Sequence, residues 1–188
     1  IVKQKKIGHT GTLDPDAEGV LPVCFGKATK LCDLLTDKDK TYQAVLLLGQ
    51  VTDTQDTSGQ VLEKHSTEDL TNEKVENVIR SFEGEYDQIP PMYSALKVNG
   101  KKLYELAREG QEVERKARRI TIHEIRILEI NLPEVKLEVT CSKGTYIRTL
   151  CHDIGQKLGC GGCMKTVSGS VKLHSFRKKG FWRRRSSR

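Results

Sequence analysis

Apolar positions along the chain switch between two periods, and each switch marks an element. Val20 to Phe25 is a short apolar run that predicts a buried strand, and Ala28 to Leu35, with Leu31, Leu34 and Leu35 facing inward, predicts a helix. Thr41 to Gly49 reads as a strand opened by Tyr42, centred on Val45 to Leu48 and closed by Gly49. A polar turn, Asp53 to Gly59, follows. Val75, Val78, Ile79 and Phe82 then recur at helical spacing behind Thr71, whose hydroxyl suits an N-cap. Leu103, Leu106 and Ala107 predict a further helix over 103–109, with Gly110 at its C-terminal end. Arg119 to Ile130 alternates around Ile120/Ile122 and again, in a new phase, around Ile125/Ile127, which predicts a bulge at His123-Glu124. Val135, Leu137, Val139 and Cys141 give a second alternating strand. Lys143-Gly144-Thr145-Tyr146-Ile147-Arg148 turns that strand into a helix whose Leu150, Ile154 and Leu158 face inward, so Tyr146 and Arg148 stand at a strand-to-helix junction.

The chain of 188 residues is long enough for one core of ordinary size. Its net charge of +7 first points to nucleic acid or an anionic surface. The seven basic residues of Arg177 to Arg188 account for the whole excess, so 177–188 is expected to be a disordered basic tail. Attraction to RNA therefore rests on local clusters: Lys3/Lys5/Lys6, Lys97/Lys101/Lys102 and Arg115/Lys116/Arg118/Arg119. The strongest apolar run, Ala44 to Leu48, is too short for a membrane span or a signal-peptide core, and a cytoplasmic location is expected. Six cysteines without a secretory signal read as reduced thiols packed as small hydrophobes. Cys160-Gly-Gly-Cys163 has the spacing of a metal clip but lacks a second ligand pair, so no metal is expected. Cys151-His152-Asp153 is no catalytic triad, because consecutive helical residues point in different directions. Gly26-Lys-Ala-Thr29 lacks the glycine spacing of a nucleotide phosphate loop, and the acids of Asp53 to Gly59 lack that of a calcium loop.

The candidate chemistry lies in Gly8-His-Thr-Gly-Thr-Leu-Asp14-Pro-Asp-Ala-Glu-Gly19. Its glycines permit backbone angles closed to other residues, and Pro15 biases Asp14 away from the helical region. Such a loop suits either a solvated surface turn or a mount that aims the Asp14 carboxylate at a substrate.

Six motifs, in order, decide between those readings: Gly8-His-Thr-Gly-Thr-Leu-Asp-Pro15, Gly26-Lys-Ala-Thr-Lys30, Lys40-Thr-Tyr42, Thr52-Asp-Thr54, Pro91-Met-Tyr-Ser-Ala-Leu-Lys97 and Gly144-Thr-Tyr-Ile-Arg148. Together they resemble the bacterial TruB family, the tRNA pseudouridine-55 synthases, from about Lys5 to Cys163. The resemblance implies an α+β (mixed α/β) fold, a largely antiparallel mixed sheet flanked by helices, over 1–176, with a thumb-like insertion at about 90–119. It implies an isomerase that needs no cofactor and acts, as a monomer, on the T-stem and loop of tRNA. Asp14 would detach uracil from its ribose and reattach it through carbon 5, either by attacking the sugar or by removing a proton. Arg148 would be the cation paired with Asp14, Tyr42 the platform that stacks on the flipped base, and Tyr146 the tyrosine beside the catalytic pair. His9 would occupy the space the base leaves, and Gly11, Thr12 and Lys30 would line the substrate side. Lys97, Lys101, Lys102, Arg118 and Arg119, with Arg115 and Lys116, would meet phosphates.

Three places depart from the family pattern. The strand with a Lys-Pro motif expected before the glycine loop is not among these residues, Val167-Ser168-Gly169 stands where a leucine and paired arginines are usual, and these residues end in the basic tail before any C-terminal RNA-binding domain. They motivate an alternative, an RNA-binding or RNA-folding module of the same fold with impaired catalysis. A hydrolase in which Asp16 or Glu18 partners Asp14 is the other alternative, since glycoside hydrolysis uses two acids.

Overall fold

The computed structural model describes residues 3–10, 18–19, 21–32 and 39–171. Six strands form the main sheet: β2 (Glu18–Gly19), β4 (Lys40–Leu48), β7 (Gly84–Gln88), β10 (Arg118–Asn131), β11 (Glu134–Cys141) and β12 (Gly162–Val171). Their order is β2-β12-β4-β11-β10-β7, antiparallel throughout except for the parallel pair of β12 with β2. Three small ladders lie outside it: β1 (Ile7–His9) with β3 (Val23–Phe25), β5 (Gln50–Thr52) with β6 (Val61–Lys64), and β8 (Lys97–Val98) with β9 (Lys101–Lys102). The α-helices that lie wholly within the described residues are α1 (Asn72–Arg80), α2 (Leu103–Arg108) and α3 (Ile147–Leu158). Mixed helices around a mostly antiparallel sheet make this the expected α+β fold.

The alternation read from the sequence determines which face is covered. Ala44, Leu46 and Leu48 of β4, Val135, Leu137, Val139 and Cys141 of β11, and Ile120, Ile122 and Ile125 of β10 are buried on one side of the sheet. Leu150, Ile154 and Leu158 of α3 and Val75 and Ile79 of α1 close over them as one apolar cluster. At about 25 cal/mol per Å² of apolar surface, this cluster is the main source of stability. The closest approach is backbone to backbone: a Cβ at Gly155 of α3 would stand 2.1 Å from the Gly162 amide nitrogen of β12. Any larger residue there would push α3 off the sheet.

Local signals behave as expected in most places. Thr71 Oγ1 accepts a hydrogen bond from the Lys74 amide and caps α1. The register of β10 against β11 shifts between Ile122 and Glu124, at the predicted bulge, and again between Ile127 and Glu129, which the alternation did not reveal. Asn99 and Gly100, with φ of 52° and 83°, join β8 to β9 in the left-handed geometry that a two-residue hairpin turn favours. Val167 and Ser168 continue β12, in register with Ala44 and Gln43 of β4.

Two expectations fail. Of the buried strand expected over Val20 to Phe25, the described residues 21–25 hold β3, with only Cys24 buried and with Val23 and Phe25 exposed, because β3 pairs with β1 outside the main sheet. Over Ala28 to Leu31, the described start of the helix expected to Leu35, there is a 3-10 helix, Gly26–Leu31, whose Leu31 is 48% exposed; Cys32 after it is helical. Thr29 Oγ1 bonds back to Gly26 O at 2.8 Å, a local bond that favours the tight turn. Leu34 and Leu35 lie outside the described residues. Among the described residues no helix is long and apolar enough to cross a membrane.

Candidate active site

The junction between β11 and α3 is built by short-range bonds. Ser142 and Thr121 exchange hydrogen bonds at 2.9 Å, the Thr145 hydroxyl donates to Ser142 O at 2.9 Å, and Tyr146 becomes the extended N-cap of α3. This places Arg148 in the first turn of the helix, only 7% exposed. Its Nη1 donates to Thr54 O at 3.1 Å and faces Asp56 Oδ2 at 3.3 Å, while Nη2 donates to Tyr93 O at 3.0 Å. Thr54, Tyr93 and Arg148 come from three of the six motifs, separated by up to 94 residues. One planar guanidinium thus ties them together, which a lysine's single ammonium could not do with the same geometry.

The loop facing Arg148 is itself ordered by Asp56. Asp56 Oδ1 accepts from the Thr54 hydroxyl at 2.7 Å, from the Ser58 amide at 3.0 Å and from the Ser58 hydroxyl, leaving Oδ2 for the arginine. Gln55 adopts φ of 64°, a costly conformation for a side-chain-bearing residue. It is held there because its Oε1 accepts from the Thr149 hydroxyl at 2.7 Å and its carbonyl accepts from the Met164 amide at 3.0 Å. The stretch predicted as a simple polar turn is therefore clamped to both α3 and β12. Asp56 was missed because its partner lies 92 residues away; the only sequence signal was its nearness to Thr52-Asp-Thr54.

Tyr42 sits on the helix-covered face of β4, partly packed on the core, opposite Val139 and Gly169. Tyr146 is half-buried at the head of α3, and His9 is exposed at the end of β1, opposite Val23. Lys30 is exposed on the 3-10 helix. Lys97 and Lys101 are exposed on the β8-β9 hairpin, where Lys101 Nζ lies 3.6 Å from Glu109. Lys102 is half-buried, its ammonium donating to the Tyr104 hydroxyl at 3.2 Å, which raises its pKa. Arg118 is exposed at the start of β10. Arg119 forks onto Asp87 at 2.7 and 2.9 Å and reaches Glu85 at 3.3 Å; the guanidinium holds the Asp87 carboxyl below its usual range. Arg115 folds back onto Pro90 O at 3.3 Å and Glu112 at 3.0 Å. Gly11, Thr12 and Asp14 lie outside the described residues, as do Asp16 and the tail from 172 onward.

All six cysteines are buried thiols. Burial pushes Cys163 up to about 11 and Cys151 higher still, so neither provides a thiolate near neutral pH. Among the described residues no three His, Cys, Asp or Glu side chains are grouped to hold a metal ion, Cys160 and Cys163 included.

Residues 1–147 match the model of the TruB family pseudouridylate synthases, N-terminal domain. The chain belongs to the TruB family. It is 57% identical over 168 residues to tRNA pseudouridine synthase B of Clostridium acetobutylicum, covering 89% of this chain and 58% of that protein. Against the enzyme of the same name from Lachnoclostridium phytofermentans, identity is 63% over 175 residues, with 89% and 57% covered. The chain thus spans less than two thirds of the length of these TruB relatives. Among solved structures it resembles a chain of a Cbf5-Nop10-Gar1 complex, with a TM-score of 0.66, 33% identity, and 89% of this chain and 40% of that one covered. A chain in the structure of an H/ACA RNP bound to a substrate RNA containing 2'-deoxyuridine gives a TM-score of 0.62 at 29% identity, covering 89% and 38%.

Proposed function

We propose that the protein isomerises uridine-55 in the T-loop of tRNA to pseudouridine, as a cytoplasmic monomer that needs no cofactor. The observation that carries this reading is Arg148: a buried, fully oriented cation at the meeting point of three family motifs. A reaction that detaches uracil and rejoins it through carbon 5 requires an ionised carboxylate in an enclosed site. Asp14 is that carboxylate, and whether it attacks the sugar or takes a proton, a fixed guanidinium keeps it charged and aimed. Tyr42 stacks on the extruded base, offsetting an unstacking cost of a few kcal/mol, while Tyr146 lies beside the catalytic pair and His9 fills the gap in the RNA. Gly11, Thr12 and Lys30 line the substrate side of the loop. Lys97, Lys101, Lys102, Arg118 and Arg119, on the 90–119 insertion and at its end, meet phosphates of the T-stem and supply affinity more than sequence discrimination.

The test is release of the carbon-5 hydrogen from uridine in a T-stem-loop RNA. Release is expected from the parent protein and not from Asp14→Asn, with RNA binding in a gel shift retained by both. Binding without release by the folded parent would overturn the enzymatic reading and leave an RNA-binding module.

A further inference from the structure

Gln88, the last residue of β7, is 1% exposed, whereas its apolar neighbour Ile89 is 51% exposed. This inverts the usual preference: a buried amide is tolerated only when its hydrogen bonds are made. Here they are. Gln88 Oε1 accepts from the Tyr146 amide at 2.8 Å, and its Nε2 donates to Tyr146 O at 3.1 Å and to the Tyr86 hydroxyl. Both N–H groups and the carbonyl are used, and the partners fix which end of the amide is which, since only oxygen can face the Tyr146 N–H. The side chain acts on Tyr146 as the peptide of a neighbouring strand would, across 58 residues of sequence.

What this bond pair secures is the weakest point of the site. Tyr146 is the N-cap of α3, yet no side chain of the usual capping kind bonds the first turn. Its carbonyl also accepts the Leu150 amide at 3.0 Å, so the first helical bond and the Gln88 clamp share one atom. Gln88 in turn is immobile: its backbone is in the ladder opposite Arg118, and Tyr86, two residues earlier on the same face, is stacked edge-on against Phe82. Burial and the nearby Asp153 carboxylate keep the Tyr86 hydroxyl protonated.

We infer that Gln88 is a positioning residue: its amide clamps the Tyr146 backbone and thereby sets the angle at which Tyr146 and Arg148 enter the site. The inference rests on the reaction proposed above only for its kinetic consequence. Gln88→Glu keeps the shape and the acceptor for the Tyr146 N–H but loses both donors when ionised; Gln88→Leu loses all three bonds. Two measurements on the full chain decide it. In native-state hydrogen exchange, the Tyr146 amide should exchange about tenfold faster in Gln88→Leu, with Gln88→Glu between it and the parent, while Ile154 and Leu158 exchange at parental rates. In the hydrogen-release assay, kcat should fall about tenfold in Gln88→Leu and less in Gln88→Glu, with KM for the RNA within about twofold of the parent. Tyr146 exchange that changes only in step with the whole of α3, or an unaltered kcat in folded Gln88→Leu, would overturn the inference. An inactive parent would sink the proposed reaction instead, while the exchange experiment would still decide whether Gln88 holds Tyr146. Should Gln88→Leu fail to fold, the isosteric Gln88→Glu carries both measurements.

Discussion

Arg148 and Arg119 both face carboxylates through a planar guanidinium, and Arg119 has the better contacts: 2.7 and 2.9 Å to both oxygens of Asp87, against 3.3 Å from Arg148 to Asp56. Their surroundings reverse the ranking. The Arg119 side chain is 62% exposed and the Arg148 side chain 8%. In water an ion pair exchanges one set of good partners for another and yields little. Inside, no solvent stands ready to replace a lost partner, so removal of the arginine takes the cation away from Asp56 without substitute. Distances alone would have selected the wrong arginine as the important one.

The largest effect should come from emptying the buried position. Arg148→Met leaves Asp56 and the Thr54 and Tyr93 carbonyls facing an apolar side chain, and should cost about 3 to 5 kcal/mol in denaturant unfolding. Arg148→Lys should fold yet lose about a hundredfold or more in hydrogen release, because one ammonium cannot serve these acceptors, drawn from two segments, with the fork's geometry. Arg119→Met should leave the unfolding midpoint within error; an equal loss at both sites would break the contrast. Next in size, replacing Lys97, Lys101 and Lys102 together by alanine should weaken RNA binding and flatten the plot of log affinity against log salt by about 2 to 3, with kcat at saturating RNA unchanged. The smallest effect concerns Asp153, whose carboxyl burial pushes up to about 6 from an ordinary 3.8. The native state then holds its proton longer than the unfolded chain, so stability falls as pH rises from about 4 to 6 and is level above. Asp153→Asn should therefore raise stability by about 1 kcal/mol at pH 7.5 and have almost no effect at pH 4, as read by thermal unfolding.

How far the sequence could be read depended on the range of the forces involved. Where one face of an element is buried by its own repeat, the pattern was sufficient: Val135, Leu137, Val139 and Cys141 in β11, and Val75 and Ile79 behind the Thr71 cap, all lie where alternation and periodicity put them. Val23 and Phe25 were misplaced because apolar character says nothing about which sheet a strand joins. Arg148 was singled out through motifs, not through periodicity. Asp56 and Gln88 escaped because each is defined by a bond to a residue 92 or 58 positions away, and a lone polar side chain carries no local mark of its burial.

The irregular course of β10 has a consequence for solubility. Past Ile122 the strand has left β7 behind and, among the described residues, pairs only with β11, so it forms an edge of the sheet whose Ile125 amide donates to the Glu83 carboxylate at 2.7 Å. A flat edge of that kind templates aggregation. The two bulges twist it, and Glu124, Arg126 and Glu129 set charges along it. The same irregularity that interrupts the hydrophobic alternation works against a second molecule adding a strand along this half-bare edge.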